Sequence, residues 1–145
     1  METLKQTLKS LMEDHAIVLK EAESFKKNLL AFYKNGGQDA TDFNGFVRFF
    51  HSELSIHTKK EEKILLPLHE KKFPSAPRHR VIFEHEHALM KKVFARFENA
   101  WKNYHKKGVN KQKLSGVMVE AGLTMVSLLR DHTTFEDHEF FPDFE

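Results

Sequence analysis

The phrases His57-Thr58-Lys59-Lys60-Glu61 and His132-Thr133-Thr134-Phe135-Glu136 each set an imidazole and a carboxylate four residues apart. On a helix that spacing stacks the two side chains one turn apart on one face. Imidazole nitrogen and carboxylate oxygen together make a thiolate-free donor set for a divalent metal ion. The phrases belong to a longer echo: residues 57–70 read HTKKEEKILLPLHE and residues 132–145 read HTTFEDHEFFPDFE, with the His, Thr, Glu, Pro and final Glu in register. One such pair arises often by chance. Two in matching context read as two halves of one metal site inside a helical bundle.

Four amphipathic segments, separated by short breakers, would carry these residues. The first runs from about Leu4 to Lys34 and stops at Asn35-Gly36-Gly37, a glycine-rich helix end. The second starts near Thr41 or Asp42, either of which could cap it, and runs to about Glu70, with Pro67 kinking or tightening its last turns. Pro74 and Pro77 punctuate the next connection, and the third segment runs from about Arg78 to Lys106, closing at Gly108. The fourth follows Asn110, a natural N-cap, and ends before Pro142. Helices of ~25–30 residues joined by short loops predict an all-α, up-down-up-down antiparallel four-helix bundle, with residues 1–145 forming one domain.

The inward rows expected from helical periodicity are apolar except at one level. They read Leu4, Leu8, Leu11, His15, Val18, Ala22, Phe25, Leu29, Phe32; then Phe46, Phe50, Leu54, His57, Glu61, Ile64, Leu68. The third is Phe83, His87, Met90, Phe94, Phe97, Trp101, Tyr104, and the fourth Leu114, Met118, Ala121, Met125, Leu128, His132, Phe135, with Glu136 beside it. Each row places a histidine among core positions. At ~1.5 Å per residue the four levels coincide within about a turn in an antiparallel bundle, so the side chains can converge in its lower half.

Composition narrows the chemistry. The 145 residues suffice for one sizeable core, and the absence of cysteine excludes disulfides, thiolate metal sites and cysteine nucleophiles. A balance of 23 basic to 21 acidic side chains gives no strong field for nucleic acid or a membrane surface. No apolar run approaches the ~18 residues needed to span a bilayer, and the charged N-terminus lacks a signal-peptide block, so a cytoplasmic location is expected. No nucleophilic triad, phosphate-cradling glycine loop or dinucleotide fingerprint occurs.

Burying Glu61 and Glu136 in a phenylalanine-rich core is costly unless positive charge meets them, and no lysine or arginine stands in these rows. Two divalent ions would satisfy both carboxylates and all four imidazoles, and paired carboxylates in a bundle favour two iron ions. If both glutamates bridge, each ion receives two carboxylate oxygens and two imidazoles. An oxo or hydroxo bridge would bring each to five ligands, leaving a position open for dioxygen, nitric oxide or peroxide.

The ordered segments Glu13-Asp14-His15, His57-Thr-Lys-Lys-Glu61-Glu62 with Leu65-Leu66-Pro67, Glu86-His87-Ala88-Leu89, and His132-Thr-Thr-Phe-Glu136-Asp137 with Phe140-Phe141-Pro142 resemble the hemerythrin-like (HHE cation-binding) domain over essentially the whole chain. The resemblance implies a di-iron centre whose ligands are His15, His57, Glu61, His87, His132 and Glu136, with both glutamates bridging. It also shows departures. Oxygen-carrying hemerythrins have a second histidine one turn before the third-helix ligand, where this chain has Phe83, and a longer His-to-Asp spacing on the last helix, where this chain has His132-x-x-x-Glu136. The set is more similar to bacterial members of the iron-centre repair type and to sensors, without the cysteine-bearing N-terminal segment of many repair proteins. The expected function is binding or sensing of oxygen or nitric oxide at an open di-iron centre. The alternative is iron-centre repair or reduction of peroxide or nitric oxide, fed by a separate redox or signalling partner protein.

Among the remaining polar residues, Glu84 lies one turn before His87 and is a better further ligand than His85, which points about 200° away around the helix. His51, His69, His79, His105 and His138 read as solvated or outside the ligand set, and Glu62 and Asp137 as surface acids that could orient a ligand imidazole. Trp101 and Tyr104 read as core.

Overall fold

The computed structural model describes residues 3–35 and 43–145. Within them the chain forms an all-α bundle. Helix α1 spans Leu4–Lys34, and α2 covers residues 44–72, with its α-helical turns interrupted by wider π-turns at Phe50–Leu54 and Glu61–Leu65. Helix α3 spans Arg78–Tyr104 and α4 spans Lys111–Phe135, which continues through a π-turn at Glu136–Phe140 into a 3-10 turn at Phe141–Phe144. Helix α4 packs along both α1 and α3.

Local chemistry accounts for several of the helix ends. Thr3 and Gln6 close a reciprocal cap at the start of α1: the Thr3 hydroxyl accepts from the Gln6 amide at 3.1 Å, and the Thr3 amide donates to Gln6 Oε1 at 2.8 Å. Asn110 caps α4 as expected, its Oδ1 accepting from the Lys113 amide at 3.1 Å. Helix α3 stops two residues short of the expected Lys106, and Gly108 turns the chain with φ of 75°. The expected stop at Gly36-Gly37 and the expected caps Thr41 and Asp42 lie outside the described residues.

The π-turns change the inward rows. A π-turn inserts one residue into a helical turn and shifts everything beyond it by one position. In α2, Ile64 and Leu68 were expected inside, yet they are 38% and 39% exposed; Leu65 and His69 take their places at 0% and 1%. Two of these turns start on the glutamates of the repeated phrase, Glu61 and Glu136. In both, the residue preceding a proline donates its amide five residues back, Leu66 to the Glu61 carbonyl and Phe141 to the Glu136 carbonyl. The rings of Pro67 and Pro142 crowd the carbonyl four residues before them, which favours the wider turn. In the third case Ser52 Oγ donates to the Arg48 carbonyl at 2.6 Å, competing with the backbone ladder.

The core has two apolar parts. The larger is built on phenylalanines 25, 32, 43, 46, 94 and 97 with Trp101 and Tyr104, whose rings meet mostly edge to face, as between Phe25 and Phe97 at 5.0 Å and 88°. The smaller holds Leu11, Leu65, Phe83, Phe135, Phe140 and Phe141. Between them in the order of every helix stand the polar residues: His15 follows Leu11 and precedes Val18, and His87 follows Phe83 and precedes Met90. A polar layer is thereby enclosed by apolar material on both sides.

Candidate metal centre

Six residues fill that layer. His15, His57, His87 and His132 are 3–5% exposed, and Glu61 and Glu136 are 0% exposed. His15 Nε2 lies 2.9 Å from Glu136 Oε1, and His132 Nε2 lies 3.2 Å from Glu136 Oε2. His57 Nε2 and His87 Nε2 approach Glu61 Oε1 at 3.3 and 3.5 Å. Two groups of four result, His15 with His57 and His87 with His132, and each group includes both Glu61 and Glu136; the donor atoms in each lie within 4.8 Å of one another.

The donor set fits divalent cations. Both oxygens of Glu61 and Oε2 of Glu136 are buried without a hydrogen-bond partner, an arrangement that costs several kcal/mol per carboxylate when nothing positive compensates it (roughly 2–7 for a neutral polar group, more for a charge). Carboxylate and imidazole ligands without sulfur suit iron, manganese or zinc. Phe141 stacks on the His15 ring at 5.5 Å and 11°, and Phe83 packs against His87 at 4.0 Å, so apolar rings close the layer from below.

The protein groups alone already concentrate positive charge here. Burial by itself would drive the imidazoles neutral, but contacts with Glu136 and Glu61 overcome it and push His57 up to about 11. The Glu136 charge does the same for His132, up to about 10. His15 is also raised, with burial opposing and Glu136 prevailing. The carboxylates diverge: burial and the neighbouring Glu136 charge raise Glu61, while the His132 charge outweighs burial and holds Glu136 well below the usual carboxylate range.

Each imidazole uses its other nitrogen, Nδ1, on a carboxylate from a different helix. Asp14 takes His57 at 3.0 Å, Glu62 takes His87 at 3.0 Å, Glu86 takes His132 at 2.8 Å, and Asp137 takes His15 at 2.8 Å. The sequence had marked Glu62 and Asp137 as able to orient an imidazole, but not Asp14 or Glu86. A signal was present: in all four segments an acid is the immediate neighbour of a ligand-type residue, as Asp14-His15, Glu61-Glu62, Glu86-His87 and Glu136-Asp137.

Other expectations sort differently. Glu84 and His85 are exposed, as are His51, His105 and His138, and none of them joins the six. His69 does not read as solvated in the structure: the π-turn at Glu61–Leu65 rotates it inward to 1% exposure. There it forms a third His and carboxylate cluster with His79 and Asp143. The proton accounting of that cluster is opposite to the centre's. Arg80 Nη1 donates to His69 Nδ1 at 3.0 Å, so the His69 proton sits on Nε2 and is given to Asp143 Oδ2 at 2.7 Å. His79 Nδ1 also donates to that oxygen, at 2.6 Å, and Lys72 Nζ donates to the Asp143 carbonyl at 2.6 Å. With donors already facing the carboxylate and two cations beside it, the cluster is a hydrogen-bonded latch holding the C-terminal turn to α2 and α3.

No helix among the described residues is long and apolar enough to cross a membrane. No curated protein and no solved structure matches the chain. The family profile described as Hemerythrin HHE cation binding domain matches residues 4–144. With that match over nearly its whole length, and with buried His and Glu groups that fit a metal site, the chain belongs to the hemerythrin HHE cation-binding domain family.

Proposed function

We propose that the chain is a non-heme di-iron protein that binds or senses a small diatomic molecule, oxygen or nitric oxide. In this reading His15 and His57 hold one iron, His87 and His132 hold the other, and Glu61 and Glu136 are shared between them. The observation that carries it is the pairing of two four-residue groups through the same two glutamates, three of whose oxygens have no hydrogen-bond partner. Iron bound there would supply redox chemistry and open coordination positions toward a small ligand. The protein residues supply enclosure and orientation. Four protein ligands per ion is fewer than the coordination number iron commonly adopts, so the set leaves room for an external ligand.

Access fits a small molecule. One cleft of about 270 Å³ between α1 and α2 is lined by Asp14, Val18, Phe49, Ile56 and His57. A second, of about 220 Å³, lies between α2 and α3 and is lined by Phe50, Leu54, Thr58, His87 and Met90. Each reaches a histidine of the centre past apolar side chains, with Glu53 and Lys60 also on the walls of the first cleft and Lys91 on those of the second, and each has room for a small molecule.

The second reading, iron-centre repair or reduction of peroxide or nitric oxide, rests on the same open positions and on a cleft at each half of the centre. Loading with ferrous iron without air, followed by oxygen or nitric oxide, separates the two. A spectral change that reverses when the gas is removed supports binding or sensing. Continuous consumption of the added molecule with an electron donor present, or release of iron, supports the alternative.

A further inference from the structure

The four carboxylates on the imidazole Nδ1 atoms form a closed circuit. Asp14 of α1 reaches His57 of α2, Glu62 of α2 reaches His87 of α3, Glu86 of α3 reaches His132 of α4, and Asp137 beyond α4 returns to His15 of α1. Helices α1, α2 and α3 each give one acid and the π-turn that continues α4 gives the fourth, and each helix receives one on its own histidine. The acids are partly open to water, with side chains 24–40% exposed, whereas the histidines they hold are nearly closed off, at 3–5%.

An imidazole whose Nδ1–H is committed to a carboxylate must present Nε2 to whatever lies on its other side. All four Nε2 atoms lie in the polar layer, facing Glu61, Glu136 or one another. The acids divide by the half of the centre they serve. Both aspartates, Asp14 and Asp137, hold the His15 and His57 pair, and both glutamates, Glu62 and Glu86, hold the His87 and His132 pair.

We propose that Asp14, Glu62, Glu86 and Asp137 are positioning residues for the cation centre, each fixing the neighbouring helix's imidazole with Nε2 directed at the metal, so that the two aspartates govern one cation position and the two glutamates the other. The proposal rests on the six-ligand reading above and adds a division that the ligands alone do not predict. Because the acids contact no metal themselves, their removal weakens binding without deleting a ligand. Loss of such an outer partner typically lowers metal affinity about 10–100-fold.

The test is titration with cobalt(II), whose visible bands report nitrogen and oxygen ligation, on the full chain and its variants, with helicity checked by circular dichroism. The unaltered chain should take up two equivalents. Asp14→Ala should weaken one equivalent about 10–100-fold and leave the other in place; Asp14→Asn, whose amide oxygen still accepts from Nδ1–H, should recover most of the loss. The double change Asp14→Ala with Asp137→Ala should still leave one tight equivalent, whereas Asp14→Ala with Glu86→Ala should weaken both. Equal weakening of both equivalents in the two double variants, or unchanged affinity in Asp14→Ala, would overturn the division while leaving the six-ligand reading intact. Should an alanine variant fail to fold, Asp14→Leu and Glu86→Leu, which fill the space without an acceptor for Nδ1–H, carry the same comparison, and equal effects on both equivalents would again overturn it. Failure of the unaltered chain to bind cobalt would overturn both readings.

Discussion

His87 Nε2 faces His132 Nε2 across 2.9 Å, while the Nδ1 of each ring is bonded to a carboxylate, Glu62 at 3.0 Å and Glu86 at 2.8 Å. Two ring nitrogens that have both given their protons outward would meet lone pair to lone pair. Only a proton or a cation between them makes the contact favourable. On the proposed reading a cation takes that place, and its entry displaces any proton held there.

Proton competition follows directly. The folded-state values of His57 and His132, about 11 and about 10, stand above the ordinary 6.5. A raised value contributes stability that is fully present below about 6.5 and lost as pH rises through 10–11. The chelator-stripped chain should therefore lose thermal stability steadily from pH 7 to pH 11. A melting temperature that stays flat across that window, measured by circular dichroism, would contradict the assignment. Metal uptake at neutral pH should release protons, detectable in weakly buffered calorimetry.

Ligand substitutions should be unequal. His57 belongs to one group of four, and Glu61 to both. His57→Ala should lower bound iron from two per chain toward one, and Glu61→Ala should lower it further. Exposed His105 lies outside both groups, so His105→Ala should leave the iron content unchanged. Elemental analysis of the three variants decides this, and undiminished iron in both ligand variants would show that the metal lies elsewhere.

The C-terminal latch should respond to acid. Slight burial opposes the shift, but the bonds from His79 and His69 prevail and hold the Asp143 carboxyl below its usual 3.8. A depressed value contributes stability present above 3.8 and lost as pH falls through the folded-state value. Asp143→Ala removes the acceptor of two imidazole donors and should cost about 1–3 kcal/mol in urea denaturation. At pH 7 the variant should unfold at lower urea than the parent, and the two should converge in strong acid.

Close packing of α1 on α4 depends on Gly122. A Cβ at that position would stand 2.5 Å from Leu29 Cδ1 and 3.0 Å from Cδ2, and Leu29 is fully buried. Gly122→Ala should destabilise the bundle by about 1–3 kcal/mol through overpacking. Leu29→Ala, costly on its own at a fully buried position, should cost less in the Gly122→Ala background than in the parent, giving a non-additive double-mutant cycle.

The bundle was legible in the sequence because its long helices keep period 3.6. All seven residues of the α3 row, from Phe83 to Tyr104, are buried as the pattern predicts. The six residues of the polar layer were legible because each interrupts an otherwise apolar row. What escaped depends on departures from that period or on relations between helices. Ile64 and Leu68 face outward and His69 inward because the π-turn beginning at Glu61 shifts the register; Pro67 hinted at a distortion without giving its size. Asp14 and Glu86 escaped because they lie on helix flanks, where only the rotation of one helix against the next decides whether an acid meets solvent or a neighbour's histidine. The Asp143 latch joins residues 64 and 74 positions apart, a contact no local pattern encodes.

The most direct measurement is the Mössbauer spectrum of the chain loaded with isotopically enriched ferrous iron without air, taken with its iron-to-protein ratio, before and after nitric oxide. Two irons per chain, both in nitrogen and oxygen surroundings and at least one altered by the gas, is the result expected of two cations sharing Glu61 and Glu136 with open positions. Fewer than one iron per chain, or two irons whose spectrum the gas leaves unchanged, would contradict a gas-binding di-iron centre.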